Sequence, residues 1–389
     1  MAVSFERYLE HIIEDNVRRP IIKIELLRYE DETVFDTITG YAINENSTLN
    51  IENKNGQRRS IGLELINTNK HFLPSPDGIW LRQKIKVWAG LTIDSEEKFF
   101  PMGVFVVQDP TAVSQLSDKR FSLTATDKFS LADGSVGGET EGIYNIPVGT
   151  SIPDAIRLVL QPSDDAQREV FYDPKEPIVD VSFDSDVTPY TIEIADGAPV
   201  GDILFELATQ VSANIYYGVD GRLIFERDED DSNKGPQFNF EAGDFNFMGG
   251  SQRFYNSKVY NAVNVVGANI NGDIASAYLE NNNLLSDTSI PNVGWKRVKK
   301  IEDPNISTDA LALTRAKYEL KRTINLQSEN TFSCVPIYHL DVDGIITLTD
   351  DDLNLNKERN LINSISLPLS TGGTMSITCA KSIDLIISE

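Results

Sequence analysis

Short segments in which every second residue is apolar recur through the first third of the chain, and this alternation is the feature that most constrains the fold. These segments lie at 21–29, 60–66, 84–91 and 121–126, and the continuous apolar run at 103–107 is a further predicted strand. Turns rich in Gly, Pro and Asn separate them. A period of two places alternate side chains on opposite faces of a strand, and several short strands joined by turns are typical of a β-barrel or sandwich. We therefore predict a β domain over residues 1–132.

An amphipathic helix is predicted before these strands. Phe5, Leu9, Ile12 and Ile13 recur with helical spacing, and Pro20 ends the pattern. The helix therefore presents an apolar stripe at the start of the first domain.

The middle of the chain differs in charge and in pattern. Residues 151–250 hold 21 Asp or Glu and 6 Lys or Arg, a net charge of −15 out of −24 for the whole chain. Helices are predicted at 152–160 and 200–212, and a hairpin at 214–225 has a Gly-Val-Asp-Gly turn. Residues 133–149 are rich in Gly, Ser and Thr and are predicted to be a linker. We assign 133–250 to a small acidic α+β region.

The last part of the chain returns to strands. The predicted elements are a strand at 259–267, a helix at 307–323 and strands at 332–337, 344–349, 361–367 and 375–380. This pattern predicts a second β domain with one long helix over 251–389. The fold class predicted from the sequence is mainly β with an α+β insert.

No pattern of catalytic or metal-binding residues is found. The three histidines, His11, His71 and His339, have no zinc-site spacing. Residues 339–350 resemble a calcium loop at Asp341 and Asp343, but the first position is His339 and the twelfth lacks the usual glutamate. Ser135 lacks the context of a hydrolase nucleophile. We predict no enzyme activity, no cofactor and no metal.

The cysteines and the chain's apolar content indicate a protein made in a reducing compartment. Two cysteines exclude a disulfide framework, and the alternation around Cys379 predicts a thiol in the core. No apolar run reaches the roughly 20 residues that span a bilayer, and no secretory signal is expected at the start. We therefore predict no membrane insertion.

The net negative charge disfavours binding to nucleic-acid phosphates. The one dense basic run is residues 295–300. It predicts an exposed strand or loop, and the alternative is a contact with an acidic neighbour or a nucleic-acid backbone.

Three groups of motifs follow one another in a definite order along the chain. The first group is Asp-Gly-Ile-Trp at 77–80, Lys-Ile-Lys-Val-Trp-Ala-Gly at 84–90 and Phe-Phe-Pro-Met-Gly-Val-Phe-Val-Val at 99–107. The second is the helix from Val200 with its hairpin. The third is the strand at 260–267, the helix at 310–323 and the strands around Asp343 and Gly344. Together the motifs span most of the chain, and their order resembles that of phage tail baseplate hub proteins.

The resemblance implies two tail-tube-like β-barrel domains and a small acidic domain in each chain. Three chains would then form a pseudo-sixfold ring in the tail baseplate of the virion, assembled in the cytoplasm of the bacterial host. Such a ring would join the hexameric tail tube to a trimeric spike or fibre, and DNA would pass through it during ejection without specific binding. Expected partners are the chain itself, the tail tube protein, the central spike or fibre protein and other baseplate proteins. Candidate contact residues are Phe5, Leu9, Ile12, Lys296, Arg297, Lys299 and Lys300.

Two other functions remain open from the residues. One is a carbohydrate-binding adhesin at the tail tip, in which Trp80, Trp88 or Trp295 would stack on sugars, although core packing is the simpler reading for Trp88. The other is a cell-wall hydrolase, for which the abundant Asp and Glu give no specific acid–base pair. No lytic domain is expected after the second β region.

Overall fold

The computed structural model describes residues 3–15, 17–28, 31–39, 43, 46–67, 72–75, 78–81, 83–115, 119–140, 142–160, 186–227, 234–255, 257, 259–270, 273–325, 328–370 and 372–382. The chain forms two compact units. Unit 1 comprises 1–227, 334–341 and 364–376, and unit 2 comprises 228–333, 342–363 and 377–389.

Unit 1 begins with helix α1, Phe5–Glu14, whose N-cap Ser4 accepts a hydrogen bond from the backbone of Arg7. Antiparallel strands follow. They are β1 (Pro20–Leu27), β2 (Val34–Thr39), β3 (Thr48–Glu52), β4 (Arg59–Ile66), β5 (Lys84–Ile93), β6 (Glu96–Val107), β7 (Thr111–Ser114) and β8 (Lys119–Asp127). Their order in the sheet is β3-β4-β8-β6-β5-β1-β2, with β7 beside β8. Residues 364–368 pair with β3 at one edge.

A β-bulge explains the Pro-x-Gly-x-Phe motif in β6. Val87 pairs with Gly103 but Trp88 pairs with Pro101, so Met102 is the extra residue. Gly103 has a φ of +143°, a conformation that side chains with a Cβ rarely adopt. The glycine therefore accommodates the bulge, and the pairing of β5 with β6 continues on both sides of it.

Gly90, in the same ribbon, allows β5 and β6 to approach closely. A Cβ at this position would lie 1.8 Å from the carbonyl oxygen of Lys98. Gly90→Ala should lower the free energy of unfolding by about 1–3 kcal/mol, because the two backbones must separate. Urea unfolding measures this. Gly62→Ala in β4 is the matched control, since a Cβ there meets no atom within 4 Å. Equal urea midpoints for the two variants would contradict the prediction.

Residues 133–227 of the acidic middle region also lie in unit 1, whereas residues 228–250 belong to unit 2. The part in unit 1 contains β9 (Tyr144–Ile146), α2 (Ile152–Leu160), β10 (Ile192–Ile194), α3 (Val200–Val211), β11 (Ala213–Tyr217) and β12 (Leu223–Arg227). Both helices and the β11–β12 hairpin bury their apolar side chains in one core, which also includes Val106, Phe129 and Leu131 of the preceding β region. The acidic region is therefore packed directly on the first sheet region.

Unit 2 contains two groups of strands. In the first, β13 (Phe238–Glu241) runs parallel to β19 (Ile345–Asp350), and β20 (Leu355–Pro368) pairs with β19. The order continues from β20 through β21 (Met375–Lys381) and β18 (Ser328–Cys334) to β14 (Phe247–Phe254). The ends of β18, β20 and β21 belong to unit 1.

The second group in unit 2 is a three-stranded sheet with one helix. Its order is β16-β15-β17, with β15 at Ala262–Ile270, β16 at Asp273–Glu280 and β17 at Val298–Glu302. Helix α5, Asp309–Asn325, covers one face with Ala312, Ala316 and Leu320. The short helix α4, Ile290–Val293, lies between β16 and β17.

The mainly β fold with an α+β region is confirmed. The three helices predicted in the first 227 residues and the two strands of the predicted hairpin are also confirmed. The predicted linker instead contains β9, which pairs with β10 about 45 residues later in the chain. The strand predicted at 332–337 ends at Cys334, and His339 lies in a turn that follows it. The division at 132/133 and 250/251 stays a prediction, because one compact unit can hold more than one folding domain. None of the described helices is both long and apolar enough to cross a membrane.

Candidate functional site

Helix α1 is held in unit 1 by an aromatic cluster. Tyr8 is fully buried, its ring centroid lies 4.7 Å from that of Phe100 and 5.6 Å from that of His339, and its hydroxyl accepts a hydrogen bond from the backbone of Tyr338. Burial raises the pKa of the Tyr8 hydroxyl. Arg18 donates to the Ile12 and Pro336 carbonyls and fixes the end of the helix. The helix is thus a fixed part of the unit.

The predicted contact residues on this helix differ in exposure. Phe5 is 46% exposed and Leu9 is half-buried, whereas Ile12 is fully buried. Ile12 therefore holds the helix against its own unit. Ile13, which is on the predicted apolar stripe but not among the candidate contact residues, is 59% exposed. Contact with a partner stays a prediction for this helix.

The predicted basic run lies at the start of β17 and just before it. Lys296 is exposed and forms an ion pair with Glu280, and Lys299 pairs with Glu319 of α5 at 2.7 Å. The guanidinium of Arg297 lies 4.5 Å from the ring centroid of Tyr260. Lys300 is exposed on β17. The run is an exposed loop and strand as predicted, and carboxylates of its own unit neutralise two of its charges.

The carboxylates of the calcium-like loop have structural roles. Asp341 forms an ion pair with the buried guanidinium of Arg59, and the Asp350 side chain accepts a hydrogen bond from the backbone of Asp352. Among the described residues, no group of three or more His, Cys, Asp or Glu side chains could hold a metal ion. Residues 228–231, a second candidate acidic run of sequence Asp-Glu-Asp-Asp, lie outside the described residues, as does His71.

Both cysteines are buried, Cys334 in unit 1 and Cys379 in unit 2. Burial raises the pKa of Cys334 to about 12 and also raises the pKa of Cys379. Little thiolate forms, so the native protein should not react with a disulfide reagent at pH 8 within minutes. Denaturation in guanidinium should release two reactive thiols per chain. Rapid labelling of the native protein, followed by absorbance, would contradict this assignment.

A network of buried charges joins the first sheet region to the β11–β12 hairpin. The Nζ atoms of Lys84 and Lys128 both lie 2.9 Å from Oε1 of Glu32, and all three side chains are buried. Burial acts to raise the pKa of Glu32, but attraction by the two ammonium groups outweighs it and the pKa lies below its ordinary value. Lys128 also donates to the carbonyl of Gly221 in the hairpin turn.

Asp127 organises the neighbouring backbone. One carboxylate oxygen accepts hydrogen bonds from the backbone of Arg58 and Arg59 at 2.7 and 2.8 Å, and the other accepts one from Phe129 at 3.1 Å. Burial raises the pKa of Asp127 to about 6, although these bonds act in the opposite direction.

The two arginines next to Asp127 reach the hairpin. Arg58 stacks its guanidinium 3.3 Å from the ring centroid of Tyr216, and Arg59 donates to the carbonyl of Tyr217. Sequence reasoning missed this network because lysine and arginine next to a strand ordinarily indicate a solvated surface.

Solved structures share the fold of this chain, although the sequence matches no protein-family profile and no curated protein. A 43 kDa tail protein of prophage MuSo2 from Shewanella oneidensis aligns with a TM-score of 0.60 and 16% identity, over 93% of this chain and 98% of that one. A tail protein from Neisseria meningitidis MC58 aligns with a TM-score of 0.64 and 12% identity, over 93% and 96%.

A third solved structure extends the likeness beyond tail proteins. The E. coli c3393 protein is described as a component of the type VI secretion system with structural similarity to the T4 bacteriophage tail proteins gp27 and gp5. It aligns with a TM-score of 0.50 and 9% identity, over 97% of this chain and 80% of that one. The chain therefore has the fold of phage tail proteins, and its resemblance to tail hub proteins is confirmed at the level of the fold.

Proposed function

We propose that this protein is a structural hub of a phage tail baseplate. The observation that carries the proposal is a fold shared with two tail proteins along 93% of the chain, so the likeness is not confined to one domain. The chain would act by assembly, as a component of the virion tail made in the cytoplasm of the bacterial host.

Three copies would form a ring whose six similar β units match a sixfold tail tube. The opposite side of the ring would keep threefold symmetry for a spike or fibre. The likeness to a protein compared with gp27 and gp5 supports a place in the baseplate. The tail tube protein, the spike or fibre protein and other baseplate proteins would be the partners.

The charge of the chain supports passage of DNA through such a ring. A net charge of −24 gives each copy a repulsive field toward phosphate. In the basic run, Lys296 and Lys299 are already paired with Glu280 and Glu319. DNA would therefore pass without being held.

Light scattering on the purified protein tests the proposal. The expected mass is three times the 43.3 kDa of one chain. A second set of assays separates the other functions. Release of sugar or peptide from purified peptidoglycan would overturn the proposal in favour of a hydrolase, and binding to purified glycans by a monomer would favour an adhesin.

The tryptophans give the adhesin little support. Lys23 and Lys86 hold their ammonium groups 4.9 and 4.6 Å from the ring centroid of Trp88, and the indole nitrogen donates to Glu25. Trp88 is thus half-buried among the side chains of its own sheet and does not lie in the core, while Trp80 and Trp295 are each 39% exposed and belong to different units.

A further inference from the structure

Helix α1 carries an apolar ridge next to its buried face. Tyr8 and Ile12 are buried in unit 1, and Phe5, Leu9 and Ile13 follow one another at intervals of four residues along the adjoining side. The Phe5 ring also packs at the edge of the aromatic cluster, with its centroid 5.3 Å from that of His339. Residues four apart lie above one another on a helix. We call Phe5, Leu9 and Ile13 the α1 ridge. Its two end members are 46% and 59% exposed.

A row of acidic side chains runs beside the α1 ridge on its solvent side. Glu6, Glu10 and Glu14 are also four residues apart, and all three are exposed. At 100° per residue, each lies about 100° around the helix from the ridge residue that precedes it. An apolar strip bordered by one row of carboxylates is the result.

The acidic row is unfavourable for the helix by itself. Like charges four residues apart repel, and Glu14 lies at the negative end of the helix dipole. Arg7 relieves part of this repulsion, since it pairs with Glu10 at 3.5 Å, but its closer partner is Asp94 at 2.9 Å. Within the described part of the chain, Glu6 and Glu14 have no ion-pair partner.

We propose that the α1 ridge is the docking site for a different protein, one that presents an apolar strip bordered by a row of Lys or Arg. Burial of the ridge would remove exposed apolar surface from water, and the basic row would pair with Glu6, Glu10 and Glu14. A second copy of this helix is disfavoured, because it would bring two acidic rows together.

This inference deepens the proposed function, because it names the surface through which the hub would hold a neighbouring baseplate protein. The way in which α1 is packed in unit 1 supports this docking site. The aromatic cluster around Tyr8 and the two bonds from Arg18 fix α1 before any partner binds, so docking costs little ordering of the helix.

Photocrosslinking in assembled tails identifies the occupant. A benzophenone amino acid at Ile13 should crosslink to another tail protein, and the crosslinked segment should carry Lys or Arg beside apolar residues. The same group at Thr111, exposed on β7, is the control for nonspecific capture. A crosslink to a second copy of this chain, to a segment without basic residues, or to nothing in assembled tails would overturn the proposal.

Binding of the purified partner then tests the chemistry. Ile13→Ser should weaken the Kd at least about tenfold, and Glu10→Lys should weaken it and reduce its salt dependence. Val34→Ser, at a residue of β2 that is 50% exposed, should leave the Kd unchanged. An unchanged Kd for Ile13→Ser would overturn the proposal. Light scattering on each variant shows whether the ring still forms. The ridge variants should keep the mass of the wild type, so that a weaker Kd reports loss of docking and not loss of the ring.

Discussion

Replacing Glu32 with Gln should lower the free energy of unfolding by about 3–5 kcal/mol. The carboxylate is the shared counter-ion of Lys84 and Lys128, whose side chains are fully buried. Glutamine is of the same size but is neutral, so two ammonium groups would remain buried without their counter-ion. Urea unfolding at pH 7 measures the loss.

Two variants control this prediction. Glu52→Gln removes an exposed glutamate paired with Lys54 and should change stability by less than about 1 kcal/mol. Adding Lys84→Met to Glu32→Gln should recover part of the loss, because one of the two uncompensated charges is removed. If Glu32→Gln unfolds at the same urea concentration as Glu52→Gln, the buried network does not stabilise the fold.

The pH dependence of this network has a definite sign. The pKa of Glu32 is lower in the folded state than the ordinary value of 4.5. Its contribution to stability is therefore complete above about pH 4.5 and is lost as the pH falls through the folded-state pKa. The gap in stability between the wild type and Glu32→Gln should narrow on acidification.

Asp127→Ala should lower the free energy of unfolding by about 3 kcal/mol or more. Three backbone N–H groups donate to this carboxylate, and each buried donor left without an acceptor costs about 1–3 kcal/mol. Asp127→Asn should cost less, since its one oxygen can keep the bonds from Arg58 and Arg59 and lose only that from Phe129. Chemical unfolding should show that the wild type is the most stable, Asp127→Asn is intermediate and Asp127→Ala is the least stable.

The pH dependence distinguishes Asp127 from Glu32. The folded-state pKa of Asp127, about 6, lies above the ordinary 3.8. Protonation of Asp127 therefore stabilises the folded state. This stabilisation is complete below about pH 3.8 and is lost as the pH rises through about 6. The advantage of the wild type over Asp127→Asn should thus be smaller at pH 7 than at pH 4.5. Asp133→Asn, on an exposed turn, is the control, and a gap that widens with pH would contradict the assignment.

Local patterns in the sequence were enough to predict many elements. The ends of α2 at Ile152 and Leu160 and the hairpin of β11 and β12 depend on residues close to one another in the chain. Pairings between distant segments were not predictable in this way. Residues 144–146 look like linker, and only their partner strand at 192–194 makes them a strand.

The candidate surface shows the same limit. Helical spacing placed both Ile12 and Ile13 on an apolar stripe, but it could not tell which side chain faces Tyr8 and the core and which remains exposed. Lys84 and Lys128 also gave no sign of burial, because their counter-ion Glu32 lies about 50 and 100 residues away in the chain. These assignments required the packing of the folded unit.

Electron microscopy of the purified protein tests the hub assignment most directly. We expect ring-shaped particles with a central hole, threefold symmetry and a mass of three chains of 43.3 kDa each. Compact particles without a hole, or a twofold dimer, at every protein concentration would contradict it.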